Sequence, residues 1–297
     1  MEINNFARKV CRAVEESLGE NYNVELKEVR KNNDVLLHGL TIQAKDHNVV
    51  PTIYLEHFWK SYEEGVPFSE VIDKLMRVYG QDAPAHSVDM EFFKDFDKVR
   101  DRICYRLVGI AENRKLLEDI PYVEFLDLAI CFFYAYSGED LGEGSILVHH
   151  SHMKTWETSV SELMNLAKEN TPRLFPSHCS AMDEVLEEVL GEKKCDPAGA
   201  REVPMKVLTN NRRLHGAVCM IYQDVLERCA EDLSSNLYIL PSSIHEVILL
   251  AEGEMADPKE LKKMIMQINR TQVAPEEVLS DSLYRYDHLK RRVEKIL

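Results

Sequence analysis

Three short stretches of this chain carry side chains of a type and spacing that could do chemistry. The first is His149-His150-Ser151-His152. On a strand, His150 and His152 share a face, and paired imidazoles are one way to present nitrogen to a divalent metal. A third ligand has to come from elsewhere, and His178 and Cys179 are the candidates. No His-Glu-x-x-His pattern accompanies them, so the metal set His149, His150 and His152 is an alternative to the main reading. The second stretch is Ser242-Ser243-Ile244-His245-Glu246. Serine, histidine and a carboxylate are the parts of an acyl-transfer triad. A strand, however, turns Glu246 away from Ser243 and His245, and no Gly-x-Ser-x-Gly elbow is present. A ligand- or partner-binding role is therefore expected ahead of catalysis, and a turn whose serines satisfy backbone groups is the plainer alternative. The third stretch is Asn210-Asn211-Arg212-Arg213. At a helix N-terminus its backbone donors and arginines could hold an anion. Arginines there oppose the helix dipole, which points to an acidic partner or to ordinary surface charge.

The segment that must position two of these stretches runs from Val207 to Leu250. It reads as strand, polar turn, helix, strand, turn and strand. Leu214, Ala217, Val218, Ile221, Val225, Cys229 and Leu233 recur at steps of three or four, which predicts one amphipathic helix of about five turns over 214–233. Asn210 and Asn211 precede it as turn or cap residues. Leu237 to Leu240 has strand composition and is stopped by Pro241. Beyond Pro241, Ser243 and Glu246 have the spacing of a helix capping box. The short, partly β-branched run Val247-Ile248-Leu249-Leu250 favours a strand instead.

Around that segment the pattern is α+β, with antiparallel or mixed sheets, packed helices and two lobes. A helix is expected over 3–18 and strands over 24–30 and 35–44, joined by a turn at Asn32-Asn33-Asp34. A third strand with Pro51 at an edge comes next, then helices near 55–64 and 68–79. A polar linker over 80–86 suggests lobes at 1–85 and 86–297, or one continuous domain. The second part is expected to hold a helix at 88–101 and a strand over 103–110. The apolar run 122–137 follows as one or two strands, and 145–152 as the return strand of an antiparallel meander. Helices are expected near 159–168 and 180–190, an exposed loop at 191–204, a helix at 258–268 and a final helix after Pro275.

Composition narrows the function classes. The chain has 297 residues, enough for a sizeable core, and a net charge of −15. That charge repels a phosphate backbone, so no nucleic acid is expected as a partner. Hydrophobic residues make up 45% and charged residues 29%, the balance of a folded globular protein. The seven cysteines include no Cys-x-x-Cys pair and suit buried, reduced thiols in a reducing compartment. The first residues have no apolar signal core, and the most apolar run, Leu128 to Tyr136, is too short to cross a bilayer. The expectation is a soluble, acidic, cytoplasmic protein with no membrane partner and no cofactor.

The phrases VLTNNRRLHGAVCMIY, LYILPSSIHEVILL, INRTQVAPEEVLSDSLYRYD, VVPTIYLEHFWKSYEEG and KENTPRLFP resemble those of an uncharacterised domain-of-unknown-function family of anaerobic gut bacteria. The resemblance runs over nearly the whole chain. It implies a bacterial cytosolic protein and brings no activity, cofactor or catalytic residue. The expected function is a non-enzymatic binding or regulatory module, with an unidentified protein or small molecule as partner. Asn210, Arg212, Arg213, Ser242, Ser243, His245 and Glu246 are its candidate contacts. A hydrolase, metal-assisted through His149–His152 or using Ser243 and His245, is the alternative.

Overall fold

The computed structural model describes residues 1–45, 52–82, 91–138, 142–182, 205–253 and 257–297. They form an α+β fold whose sheets are all antiparallel. The chain divides into two compact units. One holds Met1–Phe92 with Tyr136–Gly144, and the other holds Phe93–Ala135 with Ser145–Leu297.

In the first unit, helix α1 (Ile3–Leu18) turns Phe6, Ala7, Val10 and Val14 into the core. Strands β1 (Tyr22–Arg30) and β2 (Leu36–Ala44) pair antiparallel through a tight turn at Asn32–Asp34, where Asn33 takes a left-handed conformation that asparagine tolerates. The short edge strand β3 (Thr52–Tyr54) adds to β2, and helices α2 (Glu56–Glu63) and α3 (Phe68–Asp82) follow. Leu40, Ile42, Leu55, Phe58, Val71 and Leu75 close one apolar cluster with α1. Gly80 to Asp82, expected as linker, continue α3.

The second unit departs further from the sequence expectations. The helix expected at 88–101 is broken into short pieces. A 3₁₀ turn at Glu91–Lys94 gives way to α4 (Phe96–Val99), capped by Asp95, and then to a second 3₁₀ turn at Arg100–Arg102. Strand β4 (Ile103–Gly109), helix α5 (Arg114–Asp119), and strands β5 (Tyr122–Phe125), β6 (Leu128–Gly138) and β7 (Gly142–Leu147) come next. The strand expected through His152 stops at Leu147, because the histidines beyond it start helix α6 (His150–Trp156). Helix α7 (Val160–Leu174) leads to strand β8 (Ser177–Ala181), which occupies the start of the helix expected at 180–190. The rest of that helix and the loop expected at 191–204 lie outside the described residues.

Strands β9 (Met205–Asn210), β10 (Leu237–Leu240), β11 (Val247–Ala251), β12 (Tyr284–Asp287) and β13 (Arg292–Lys295) join β8 in a six-stranded sheet ordered β13-β12-β10-β11-β9-β8. The single helix expected over 214–233 is two pieces: a 3₁₀ stretch at Gly216–Ile221, and helix α8 (Val225–Leu233) after a break at Asp224, whose φ is 60°. The 3₁₀ stretch buries Gly216 to Met220 one after another, whereas α8 buries Val225, Leu226, Cys229 and Ala230 on one face, and Leu214 of the expected stripe is exposed. Beyond Pro241 the expected strand is interrupted: Ser243 makes an isolated bridge to Val278, Ile244 and His245 form a bend, and β11 begins only at Val247. The helix at 258–268 is present as α9 (Pro258–Thr271), but the expected final helix is only a 3₁₀ turn at Pro275–Glu277. The residues after it are paired strands, in which Tyr284 and Tyr286 alternate with Arg285 as β geometry requires.

Candidate functional site

The polar centre of the second unit is built where β9 ends and the chain turns back. Asn210 is buried, and its side chain organises the turn. Its Oδ1 accepts from the Arg212 and Leu214 backbone N–H groups at 3.0 and 3.3 Å, and its Nδ2 donates to the Leu214 carbonyl at 2.7 Å. Arg213 and His215 both sit at positive φ, 52° and 53°. Gly216 follows, and a Cβ there would overlap Thr209 Oγ1 and the His245 carbonyl oxygen. Only glycine lets the turn press this closely onto the 242–246 segment.

The contact brings two imidazoles together. The rings of His215 and His245 stack with centroids 5.9 Å apart and planes 11° from parallel. His245 Nδ1 accepts the His215 backbone N–H at 3.3 Å, which leaves Nε2 to face Glu277 Oε1 at 3.6 Å. Thr209 Oγ1 donates to the His245 carbonyl at 2.7 Å. His215 also lies 5.7 Å from the Phe133 ring. Burial, the charge of Arg106 and the neighbouring His245 hold His215 well below the usual histidine range. It is therefore neutral at pH 7, and its Nδ1 is enclosed with no hydrogen-bond partner.

Arg106 is the second element of the site. It sits in the middle of β4, the only charged residue in ICYRLVG, directly across from Cys131 on β6. Part of its side chain reaches solvent, but among the described residues its Nε is enclosed without a hydrogen bond and no carboxylate pairs with it. Burial pulls the guanidinium below its ordinary pKa. A half-buried guanidinium with an enclosed, unbonded Nε is a position that an incoming anion would stabilise.

The residues nominated from sequence divide around this centre. Asn210 and His245 belong to it, the first as the turn's organiser and the second as a ring of the stacked pair. Ser243 Oγ accepts the His245 backbone N–H at 3.0 Å, so it serves the turn and makes no bond to the imidazole. Ser243 also bridges to Val278, which fixes the segment against the 275–278 turn. Ser242 Oγ is buried and unpartnered, and Glu246 lies half-buried at the entry to β11. Arg212 stands over the Phe175 ring at 5.3 Å, and Arg213 is exposed. Neither arginine lies at the start of a long helix, since a 3₁₀ stretch takes that helix's place.

The histidines at 149–152 do not share a strand face. His149 caps α6, His152 Nδ1 accepts the His149 backbone N–H at 3.1 Å, and the His152 ring packs on Phe93 and Trp156. His150 is exposed. Cys179 meets Cys229 rather than these histidines. Among the described residues no three His, Cys, Asp or Glu side chains gather as a metal-ligand set.

A different polar cluster went unnoticed in the sequence. Asp127, in the turn between β5 and β6, accepts from Tyr284 Oη at 2.6 Å, Ser282 Oγ at 2.7 Å, Ser280 Oγ at 3.3 Å and Lys295 Nζ at 3.0 Å. Burial opposes its ionisation, but the donors from Tyr284, Ser282 and Lys295 outweigh it and hold the carboxyl below its ordinary value. An open groove of about 420 Å³ lies elsewhere on this unit, lined by Phe125, Tyr222, Asp224, Glu227, Tyr286 and Arg291 among others. None of the sequence-nominated residues lines it.

Comparison with known families adds ancestry to this geometry. The model of DUF5688, a family of unknown function, matches residues 3–288. The chain belongs to that family. No curated protein and no solved structure matches it. The DUF5688 match reaches into both compact units and includes Arg106, Asp127, Asn210, His215, His245 and Glu277. Arg106, His215, Gly216 and Glu277 were passed over in the sequence, and for Arg106 the signal was there: a lone charge inside an apolar strand has to be met by something.

Proposed function

We propose that this protein is a non-enzymatic binding module for a small oxyanion, a carboxylate or a phosphoryl group, received by Arg106 beside His215 and His245. The observation that carries this reading is the unpaired, half-buried Arg106 guanidinium. A protein keeps such a charge at a cost to stability, and an incoming anion removes the cost. The stacked histidines add a polar wall to the same place, with the His245 ring facing Glu277. The chain's net charge of −15 favours a small ligand over a polyanion, because it opposes a nucleic-acid backbone at long range. A cytoplasmic, bacterial setting completes the proposal and rests on the family resemblance and the cysteine usage. Among the described residues no helix is long and apolar enough to cross a membrane. A hydrolase using Ser243 and His245 gains no support, since the Ser243 hydroxyl is engaged by backbone.

Thermal melting tests the reading. Phosphate or succinate, compared with chloride at equal ionic strength, should raise the melting temperature of the native chain. A hundredfold excess over Kd corresponds to roughly 2.7 kcal/mol of added stability. Arg106→Met should fold and lose the response. A native chain indifferent to both anions, or an Arg106→Met variant that responds as the native chain does, overturns it.

A further inference from the structure

The composition suggests inert thiols throughout, and most of the described cysteines fit that description. Cys104, Cys131 and Cys219 are buried, and burial pushes each thiol up to about 12. Cys11 is half-buried and is also raised, by burial and by Glu15. One pair differs. Cys179 is exposed on β8, at the edge of the six-stranded sheet, and Cys229 is buried on α8. Their sulfurs are 3.4 Å apart, with the Cys229 S–H donating to Cys179. Lys206 belongs to the same environment. The β8–β9 register sets Cys179 opposite Leu208, so Lys206, two residues earlier on β9, shares the face of the sheet that Cys179 uses. Its Nζ is held by Asp232 of α8 at 2.9 Å. The Cys229 hydrogen bond, followed by the Lys206 charge, lowers the Cys179 thiol, while that same bond and burial raise Cys229. The exposed sulfur is thus the better nucleophile, and the buried one stands behind it at a distance that side-chain rotation can close.

We propose that Cys179 and Cys229 form a redox-active thiol pair that a peroxide converts to a disulfide joining β8 to α8. In the first step the Cys179 thiolate attacks one peroxide oxygen. The O–O bond breaks, hydroxide leaves and takes up the proton that Cys179 has lost, and Cys179 becomes a sulfenic acid. In the second step the Cys229 sulfur attacks the Cys179 sulfur. The S–O bond breaks, and the oxygen leaves as water with the Cys229 proton. Two thiols and one peroxide become one disulfide and two waters, with two electrons passing from sulfur to oxygen. A dithiol reductant reverses the change by exchange. None of this depends on Arg106 or on an anionic ligand.

The experiment treats the full chain with one equivalent of hydrogen peroxide, alkylates the remaining thiols and maps the peptides without reduction. A Cys179–Cys229 bridge should appear while Cys11, Cys104, Cys131 and Cys219 stay alkylatable. Free Cys179 should disappear at least about tenfold faster than the three buried thiols. Cys229→Ser should leave Cys179 as a sulfenic acid that dimedone traps, and Cys179→Ser should leave Cys229 unoxidised. Dithiothreitol should restore both thiols in the native chain. The proposal is overturned by any of three results: Cys179 reacting no faster than the buried cysteines, a bridge from Cys179 to Cys195, or Cys179 reaching sulfinic acid while Cys229 remains a thiol.

Discussion

Two polar clusters in the second unit are built on opposite terms. Around Asp127, three hydroxyls and one ammonium converge on a single carboxylate, and both of its oxygens are used. Around Arg106 and His215, buried nitrogens are left without partners. The first cluster is complete in the folded chain and holds strand β12 to the β5–β6 turn. Under the binding reading proposed above, an incoming anion completes the second. Buried polarity therefore has two meanings in one protein, and hydrogen-bond satisfaction tells them apart.

Removing the acid should have the largest effect. Asp127→Ala strands the Tyr284, Ser282 and Ser280 hydroxyls together with Lys295, and urea unfolding should show a loss of roughly 2 kcal/mol. A loss below about 0.5 kcal/mol would mean the cluster is decoration and would collapse the contrast.

Acidification should strike the two clusters in different windows. His215 is depressed in the folded state, so the unfolded chain binds the extra proton first. Stability should fall as pH drops below about 6.5, by at most about 1.4 kcal/mol per pH unit, until the depressed folded value is reached. Asp127 is depressed too, and its slope has the same sign in a lower window. Its contribution is fully present above its unfolded value near 4 and is lost as pH falls through the folded one. Melting temperatures between pH 7 and 4.5 should therefore slope for the native chain and flatten for His215→Phe. Equal slopes would show that another group carries the titration.

The smallest shift, and the one with the opposite sign, belongs to Arg106→Met. Without an anion present it should be neutral or add roughly 1 kcal/mol, because a half-buried charge is exchanged for an apolar chain. A loss of roughly 3 kcal/mol would reveal a native partner for the guanidinium and place Arg106 with Asp127 as structure.

Where the sequence was legible, local rules and tertiary packing agreed. Phe6, Val10 and Val14 mark one face of α1 whatever surrounds it, and Asn33 marks the turn between β1 and β2 by its tolerance of a left-handed backbone. The 214–233 region was misread because the apolar period of its sequence runs through both the 3₁₀ stretch and the α-helix, and nothing local announces that Asp224 will break them apart. His150 and His152 resemble a ligand pair because a strand would set them on one face, whereas in the fold His149 and His152 cap a helix together and His150 is exposed. The candidate site was only half visible. Asn210 and His245 stood out by type. Arg106 is more than a hundred residues from His215 along the chain, and Glu277 gains its role only when the 275–278 turn folds over the bridge at Ser243.

The Asp127 cluster also sets a schedule. Lys295 follows its acceptor by 168 residues, and the three hydroxyl donors come only slightly earlier. At the ordinary pace of translation the ribosome needs roughly ten to thirty seconds to cover that distance. During that interval β5, β6 and their turn are already made, and the carboxylate at their tip has only water to bind. The six-stranded sheet is in the same position, since β12 and β13, the outermost strands on one side, are made last. This unit can finish folding only after β12 and β13 emerge, so Asp127 acts as a latch that closes once Lys295 has been made.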